Sequence, residues 1–377
     1  MKAVFFYHAF TSCWNNGNAH FLRGVTRELA RLGHEVVVCE PNDGWSRLNA
    51  LQDGGEATLH DAASLIPGVR LRGYGASFDP EKALEGADLV VVHEWNPPAL
   101  IARIGRCRAE GARFKLLFHD THHRAITAPE ELALFELDGF DGVLAFGEVL
   151  REIYVKRGWG RRVFTWHEAA DTELYRPMPE IDKQRDVVWI GNWGDNERGA
   201  ELAEFLVRPL SELKLSGLIY GVRYPDTALQ AIEAAGIEFG GWLPNHRAPL
   251  AFAQARATVH VPRGPYARQL PGIPTIRVFE ALACGIPLVS APWSDDEHLF
   301  PPGCYLNVSS GQAMKSALLA VLSDPDLAAS LTSTGFHAVL ERHTCRHRAQ
   351  ELIAIVDGLG RSGQTQAFPG WQERIAS

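Results

Sequence analysis

The sequence has no apolar run of the roughly 18 residues that a membrane-spanning helix needs, so no transmembrane segment is expected. It has no Cys-x-x-Cys pair. Its six cysteines, Cys13, Cys39, Cys107, Cys284, Cys304 and Cys345, are scattered, which argues against a zinc knuckle and against a disulfide framework. A reducing, cytoplasmic setting fits that usage, with peripheral contact to a membrane left open. There is no block of like charge. Thirty-seven Lys and Arg face 45 Asp and Glu, a formal net charge of -8, so neither nucleic acid nor an anionic membrane is expected as the main partner. A clear D-x-D metal motif is also missing. The apolar start, residues 1–7, meets His8 too soon for a signal sequence and reads as a first buried strand.

What is present is alternation. The chain has 377 residues, 46% of them hydrophobic. A single core rarely grows past about 250–300 residues, so two domains are expected. Short Val, Leu and Phe runs at 3–7, 35–39, 89–92, 114–118 and 142–146 are separated by amphipathic stretches. The first of those stretches, residues 19–32, carries Phe21, Val25, Leu29 and Leu32 at helical spacing. Continuous apolar strands between helices indicate a parallel sheet covered on both faces. Around residues 171–185 the period is lost and Pro177 and Pro179 appear, which marks a linker. The pattern then restarts. Strands are expected at 187–190, 217–220, 237–239, 258–261 and 287–290, with helices at 201–210 and 276–283. The expected fold class is α/β, with two Rossmann-like, doubly wound domains and a ligand cleft between them. The expected units are 1–172, a linker at 173–186, a second domain at 187–357 and a tail at 358–377. In the tail, Phe368, Trp371 and Ile375 are candidates for docking on a surface.

Four segments, in order, resemble GT-B glycosyltransferases of the retaining group 1 class, in particular spore-maturation-type (CgeB-like) members. Arg27-Glu28-Leu29-Ala30-Arg31-Leu32-Gly33-His34-Glu35-Val36 resembles the family's first βαβ unit. Asp88-Leu89-Val90-Val91-Val92-His93-Glu94-Trp95 resembles its mid-domain strand, and Ala170-Asp171-Thr172-Glu173-Leu174-Tyr175-Arg176-Pro177 the segment before its linker. Phe279-Glu280-Ala281-Leu282-Ala283-Cys284-Gly285 resembles its nucleotide-binding helix. The resemblance implies a GT-B fold and sugar transfer from a nucleotide-sugar, UDP- or GDP-linked, with no metal and no other cofactor. Fold alone does not fix the reaction.

Glu280 follows the Gly/Pro loop Pro271-Gly272-Ile273-Pro274-Thr275, which opens a helix. Such a helix start offers free N–H groups and a positive dipole end to a diphosphate, so Thr275 is placed with the donor. The resemblance assigns Glu280 to the ribose hydroxyls; the alternative is a solvated helix glutamate. The family often has a second glutamate eight positions earlier, near the transferred sugar, and here that position is Gly272. Arg198 matches a basic residue that grips the diphosphate. Arg263 and Arg277 are further candidates, with at least one phosphate contact expected among the three. Asn192, in the loop after strand 187–190, belongs to the same donor set. Trp242 either stacks on the base or packs in the core.

On the N-terminal side, Phe118-His119-Asp120-Thr121-His122-His123-Arg124 follows a strand, where this fold places its chemistry. The resemblance puts His119 beside the donor sugar. Asp120 either fixes the His119 tautomer or takes the acceptor proton. A metal site from His119, Asp120, His122 and His123 is the rival reading. His20, after an Asn- and Gly-rich loop, is either the base of an inverting enzyme or a residue lining the cleft. His93 and Glu94 are expected to line the acceptor side. Retention is the implied outcome. A nucleotide-sugar epimerase, which would need carboxylates on both cleft walls, and a non-catalytic binding protein are the rival functions. Acceptor and oligomeric state stay open.

Overall fold

The protein is described from a computed structural model covering residues 1–75, 77–194 and 197–360. Two parallel sheets form, as the alternation of apolar runs and helices requires. The first contains β1 (Lys2–Phe6), β2 (Glu35–Pro41), β3 (Val69–Tyr74), β4 (Leu89–His93), β5 (Lys115–Asp120), β6 (Gly142–Ala145) and β7 (Val163–Thr165). Its order is β3-β2-β1-β4-β5-β6-β7. The second contains β8 (Arg185–Ile190), β9 (Gly217–Tyr220), β10 (Glu238–Phe239), β11 (Ala255–His260), β12 (Leu288–Ser290) and β13 (Leu306–Asn307), in the order β10-β9-β8-β11-β12-β13. Each sheet reverses its winding once, between β1 and β4 in the first and between β8 and β11 in the second. Those switch points are where a crevice opens at the strands' carboxyl ends.

Three strands, β3, β7 and β13, are not foreshadowed by apolar runs. β3 reads Val-Arg-Leu-Arg-Gly-Tyr and lies exposed at the sheet edge, so its sequence alternates with charge. β7 and β13 are edge strands of three and two residues. The helix expected at 201–210 runs from Gly199 to Glu212 and contains a π-turn at Ala203–Val207.

The two sheets are joined by two chain crossings that lie side by side. Ala170 N donates to His343 O at 2.9 Å, and Cys345 N donates to Ala170 O at 3.0 Å. After the second crossing the last helix, Cys345–Gly360, returns to the first domain and packs on the first helix, Ala19–Arg31. Trp166 Nε1 donates to Arg348 O at 2.9 Å across that contact. A buried ion pair between Arg27 and Asp171 pins the first crossing to the first helix. One hydrophobic core consequently runs through both domains, from Phe21 and Leu29 to Val278 and Leu282, and on to Leu352. Residues 358–360 of the expected tail continue the last helix. Phe368, Trp371 and Ile375 lie outside the described residues.

The contact between first and last helix is close because Gly24 faces it. A Cβ built on Gly24 would sit 2.5 Å from Cys345 Sγ and 3.1 Å from Asp171 Cβ. A free helical glycine gains about 1 kcal/mol on change to alanine. Gly24→Ala is expected instead to lose about 1–3 kcal/mol from overpacking. Urea unfolding measures the sign, and a gain would show that the two helices do not meet this closely.

Candidate active site

The carboxyl ends of both switch points face one cleft. From the first domain it is lined by the β1–helix loop, including Asn15, Asn16 and Gly17. From the second it is lined by Asn192, Trp242 and Arg277. The loop backbone comes close to the opposite wall: a Cβ on Gly17 would sit 3.0 Å from Ile276 Cγ2. Asn192 Nδ2 donates to Asn15 Oδ1 at 2.5 Å, and Asn245 Nδ2 donates to Gly17 O at 3.0 Å. Trp242 is half-buried, so it is not a core residue, and its Nε1 has no partner. It packs on the first domain at Gly54, where an added Cβ would lie 2.9 Å from its ring.

Glu280 sits in the second turn of the helix Ile276–Ala283 and is fully buried. Arg277, one turn earlier, pairs with Oε2. Oε1 lies 3.1 Å from Nδ1 of His20, which comes from the other domain. His20 is itself fully buried, stacks against Tyr175 at 4.4 Å, and leaves Nε2 without a partner. Burial alone would push the Glu280 carboxyl up. Arg277, with His20 beside the other oxygen, outweighs it and holds the group below its ordinary value. Glu280 is thus an ionised carboxylate shared by both domains, and the reading of it as a solvated surface residue is excluded.

Arg198, Arg263 and Arg277 converge on the second wall. A Cβ on Gly194, whose φ is +86°, would lie 3.2 Å from Arg198 Nε and 3.6 Å from Arg263 Nε. Arg198 donates through Nη1 to Val261 O at 2.7 Å and through Nη2 to Asn192 O, leaving Nε unpartnered. Burial, then the charges of Arg263 and Arg277, lower Arg198 to about 9. Arg263 pairs with Glu197 at 3.5 Å. The Thr275 hydroxyl is engaged: it lies 3.0 Å from Nε2 of the buried His260. No side chain caps the helix that follows it.

Gly272, which stands where the family often has glutamate, is fixed by backbone and packing. Its φ is +90°, and a Cβ would sit 2.6 Å from Glu297 Cγ. Glu297 is pinned in turn by His167 Nε2 at 2.6 Å and Glu148 N at 2.8 Å.

The first wall is built differently. His8, two residues beyond β1, His93, the last of β4, and His119, near the end of β5, touch ring to ring, with 5.2 Å between His8 and His93 and between His93 and His119. Burial lowers His8 and His119 to about 3, with Arg124 helping at His8. His93 is likewise lowered by burial and by His119. His93 Nε2 lies 3.1 Å from Thr121 Oγ1, while both His119 nitrogens are unpartnered. Asp120 does not orient His119, because successive strand residues point to opposite faces. Its oxygens accept from Tyr154 OH at 2.6 Å and His122 N at 3.0 Å. Burial raises Asp120, and burial together with the Asp120 charge raises Glu94 well above its ordinary value. Glu94 accepts from Thr121 N at 3.0 Å and pairs with Arg124 at 2.6 Å, and Arg124 stacks on Trp95. His123 Nδ1 turns to Thr127 Oγ1 at 2.9 Å. Among the described residues no group of three or more His, Cys, Asp or Glu is arranged to hold a metal, so the metal reading has no geometric support. The one D-x-D triplet, Asp324-Pro325-Asp326, is a helix cap: Asp324 accepts from Asp326 N and Leu327 N at 3.0 Å each.

Sequence reasoning missed four residues in or beside the site. His8 obeys the same strand-end rule that selected His93 and could have been found. Tyr175 OH donates to Asn245 O at 2.9 Å; both residues lie in segments that read as loop. Glu168, which follows the unforeseen β7, is buried beside Asn18, Glu280 and Arg277 with Oε1 unpartnered.

Residues 198–354 match a family model described as glycosyl transferase-like. No curated protein matches the sequence. Among solved structures, sucrose-phosphate synthase from Thermosynechococcus elongatus is 15% identical, with a TM-score of 0.66, over 96% of this chain and 99% of that one. Anabaena HepE in complex with UDP is 16% identical, with a TM-score of 0.65, over 95% and 100%. Staphylococcus aureus TarM, also solved with UDP, is 9% identical, with a TM-score of 0.68, over 94% and 99%. The chain has the GT-B fold. Its C-terminal part, residues 198–354, is glycosyl transferase-like. Among the described residues no helix is long and apolar enough to cross a membrane.

The lowered imidazoles make a pH prediction. His8, His119 and His260, all near 3 when folded, bind a proton near 6.5 when unfolded. Between those values the unfolded chain holds more protons, so stability is expected to fall as pH drops from about 6.5 towards 3. Histidine ring NMR between pH 5 and 8 should show these three resonances unmoved. Titration of any of them near 6.5 would contradict the closed, dry wall described above.

Proposed function

We propose that the protein transfers a sugar from a nucleoside-diphosphate sugar, UDP- or GDP-linked, to an acceptor held against the histidine wall. The observation that carries this reading is the convergence of Arg198, Arg263 and Arg277. The buried Arg198 has no carboxylate partner among the described residues, keeps Nε unpartnered and is lowered by burial and by the charges of Arg263 and Arg277, so an anion is favoured there, and a diphosphate answers it with matching fork geometry. The same three charges stabilise the leaving diphosphate as negative charge develops, which is why the reaction is proposed to run without a metal. Glu280 takes the ribose hydroxyls and Trp242 the base. The UDP found in HepE and TarM supports a uridine donor by analogy. The neutral imidazole of His119, with both nitrogens unpartnered, is proposed to hydrogen-bond the transferred sugar.

Retention of configuration is proposed from the group 1 resemblance. Asp120 supports it, being tied to Tyr154 and His122 and so not free to take an acceptor proton. Product with the inverted anomer would point instead to His20 in its neutral form, whose Nδ1 lies 3.2 Å from Gly17 O and 3.1 Å from Glu280 and whose Nε2 has no partner. A second reading, epimerisation of a nucleotide-sugar, is favoured by one observation: Glu168 and Glu280 put carboxyl groups on opposite walls. It predicts conversion of the nucleotide-sugar with no acceptor present.

Thermal-shift titration with UDP, GDP and their sugars tests the donor site. A ligand at one hundred times its Kd adds about 2.7 kcal/mol of stability. At least one nucleotide should do so, with EDTA making no difference. A hydrogen bond to a charged group is worth about 1.5–3 kcal/mol, so Glu280→Gln should weaken that nucleotide about tenfold or more. No shift with any of them, or undiminished affinity in the variant, would overturn the assignment.

A further inference from the structure

Glu168 is a buried carboxyl behind the cleft residue Arg277 that the transfer chemistry above does not use. It lies just beyond β7, in the first crossing between domains, and is 4% exposed. Oε1 has no partner, and among the described residues no cation forms an ion pair with the group. Asn18, from the β1–helix loop, lies beside the carboxyl. From the donor helix it faces Glu280 and Arg277, with His20 held on Glu280. Tyr266, from the helix Gly264–Arg268, lies within its field. From the last helix, Arg348 reaches only the Glu168 carbonyl, at 3.4 Å, and turns another nitrogen to His343. The adjacent His167 is engaged by Glu297.

Burial, then the charge of Glu280, push the Glu168 carboxyl up to about 8, so at pH 7 it carries its proton and can donate an O–H. Such a group is a burden on the fold. Its folded value lies above the 4.5 of the unfolded chain, so stability falls as pH rises between the two. A glutamine would fill the same space without that loss. Groups held this way cluster at functional sites. The two buried carboxyls are also pushed apart, Glu280 down and Glu168 up, which gives them different tasks.

We propose that Glu168 is a donor-binding residue on the N-terminal wall, giving its carboxyl O–H to an oxygen of the nucleotide's diphosphate opposite Arg277. The proton is what admits a second anion beside Glu280, where an ionised carboxylate would repel it. This rests on the donor reading, and one experiment separates the two.

Isothermal titration of wild type, Glu168→Gln and Glu168→Ala with UDP and GDP, and with uridine and guanosine as diphosphate-free controls, at pH 7 and pH 9.5, tests it. At pH 7 the Gln variant should bind the diphosphate within about twofold of wild type, and the Ala variant about tenfold or more weaker. Nucleoside affinity should be unchanged in both. At pH 9.5 both proteins lose what the Arg198 charge contributes, and wild type should lose about tenfold more than the Gln variant, which should also melt at a higher temperature than wild type. The proposal is overturned if Ala matches wild type, if Gln falls with Ala at pH 7, or if wild type and Gln respond alike to pH. Should Ala fail to fold, the Gln and pH comparisons decide. Wild type that binds neither nucleotide sinks the donor reading itself, and this proposal with it.

Discussion

An ionised carboxylate cannot stay out of water unless something in the protein compensates it. Glu280 is fully buried, ionised and compensated from two directions, by Arg277 on its own helix and by His20 on the opposite domain. Removing one partner of such a pair typically costs about 3–5 kcal/mol. The closed cleft follows from it. The β1–helix loop must approach helix Ile276–Ala283 closely enough for His20 to reach across, which makes Gly17 tight against Ile276 and ties Asn245 to Gly17. The paired crossings at Ala170 and Thr344, with the last helix locked on the first, hold the domains at that separation. In this state Glu280 is held by protein contacts alone, Arg277 on Oε2 and His20 beside Oε1. On the proposed reading, donor binding is an exchange in which hydroxyls replace protein contacts on Glu280 and phosphates draw Arg277 outward.

The two walls divide the electrostatics. The second domain carries the charge, in three arginines and one carboxylate. The first is lined by imidazoles that burial keeps neutral, by Trp95 under Arg124, and by the Asp120–Glu94 pair turned to the far face of β5. A charged wall suits an anionic donor. A neutral, aromatic wall with free ring nitrogens suits hydroxyl-rich partners, because imidazole donates or accepts as needed and adds no charge near the reacting sugar. Only Glu168 breaks the division, as the one raised carboxyl on the neutral side that faces Glu280.

The fold was legible because its buried strands are continuous apolar runs, such as Val4–Phe6 and Leu89–Val92. Three of the four edge strands escaped because exposure and shortness remove that signal: β3 alternates Arg with Val and Leu. Glu280 was legible through the loop and helix around it, but its partners were not. Nothing in the sequence joins residue 20 to residue 280; that pairing exists only once two domains dock. Asp120 shows the opposite failure. Adjacency to His119 along the chain suggested cooperation, and the two-residue period of a strand sends the side chains apart. Gly272 read as a missing glutamate. The structure shows a left-handed backbone and a neighbouring Glu297 that leave no room for one.

The central claim is that Glu280 exchanges its protein partners for the donor's ribose. It is tested most directly by a double-mutant cycle on ligand and protein. Affinities of the bound nucleoside diphosphate and of its 2′-deoxy and 3′-deoxy forms are measured by calorimetry for wild type and Glu280→Gln. The account predicts that deleting a hydroxyl weakens wild type by about tenfold and the variant far less, so the two changes are coupled. Equal losses in both proteins, or no loss in wild type, would contradict it.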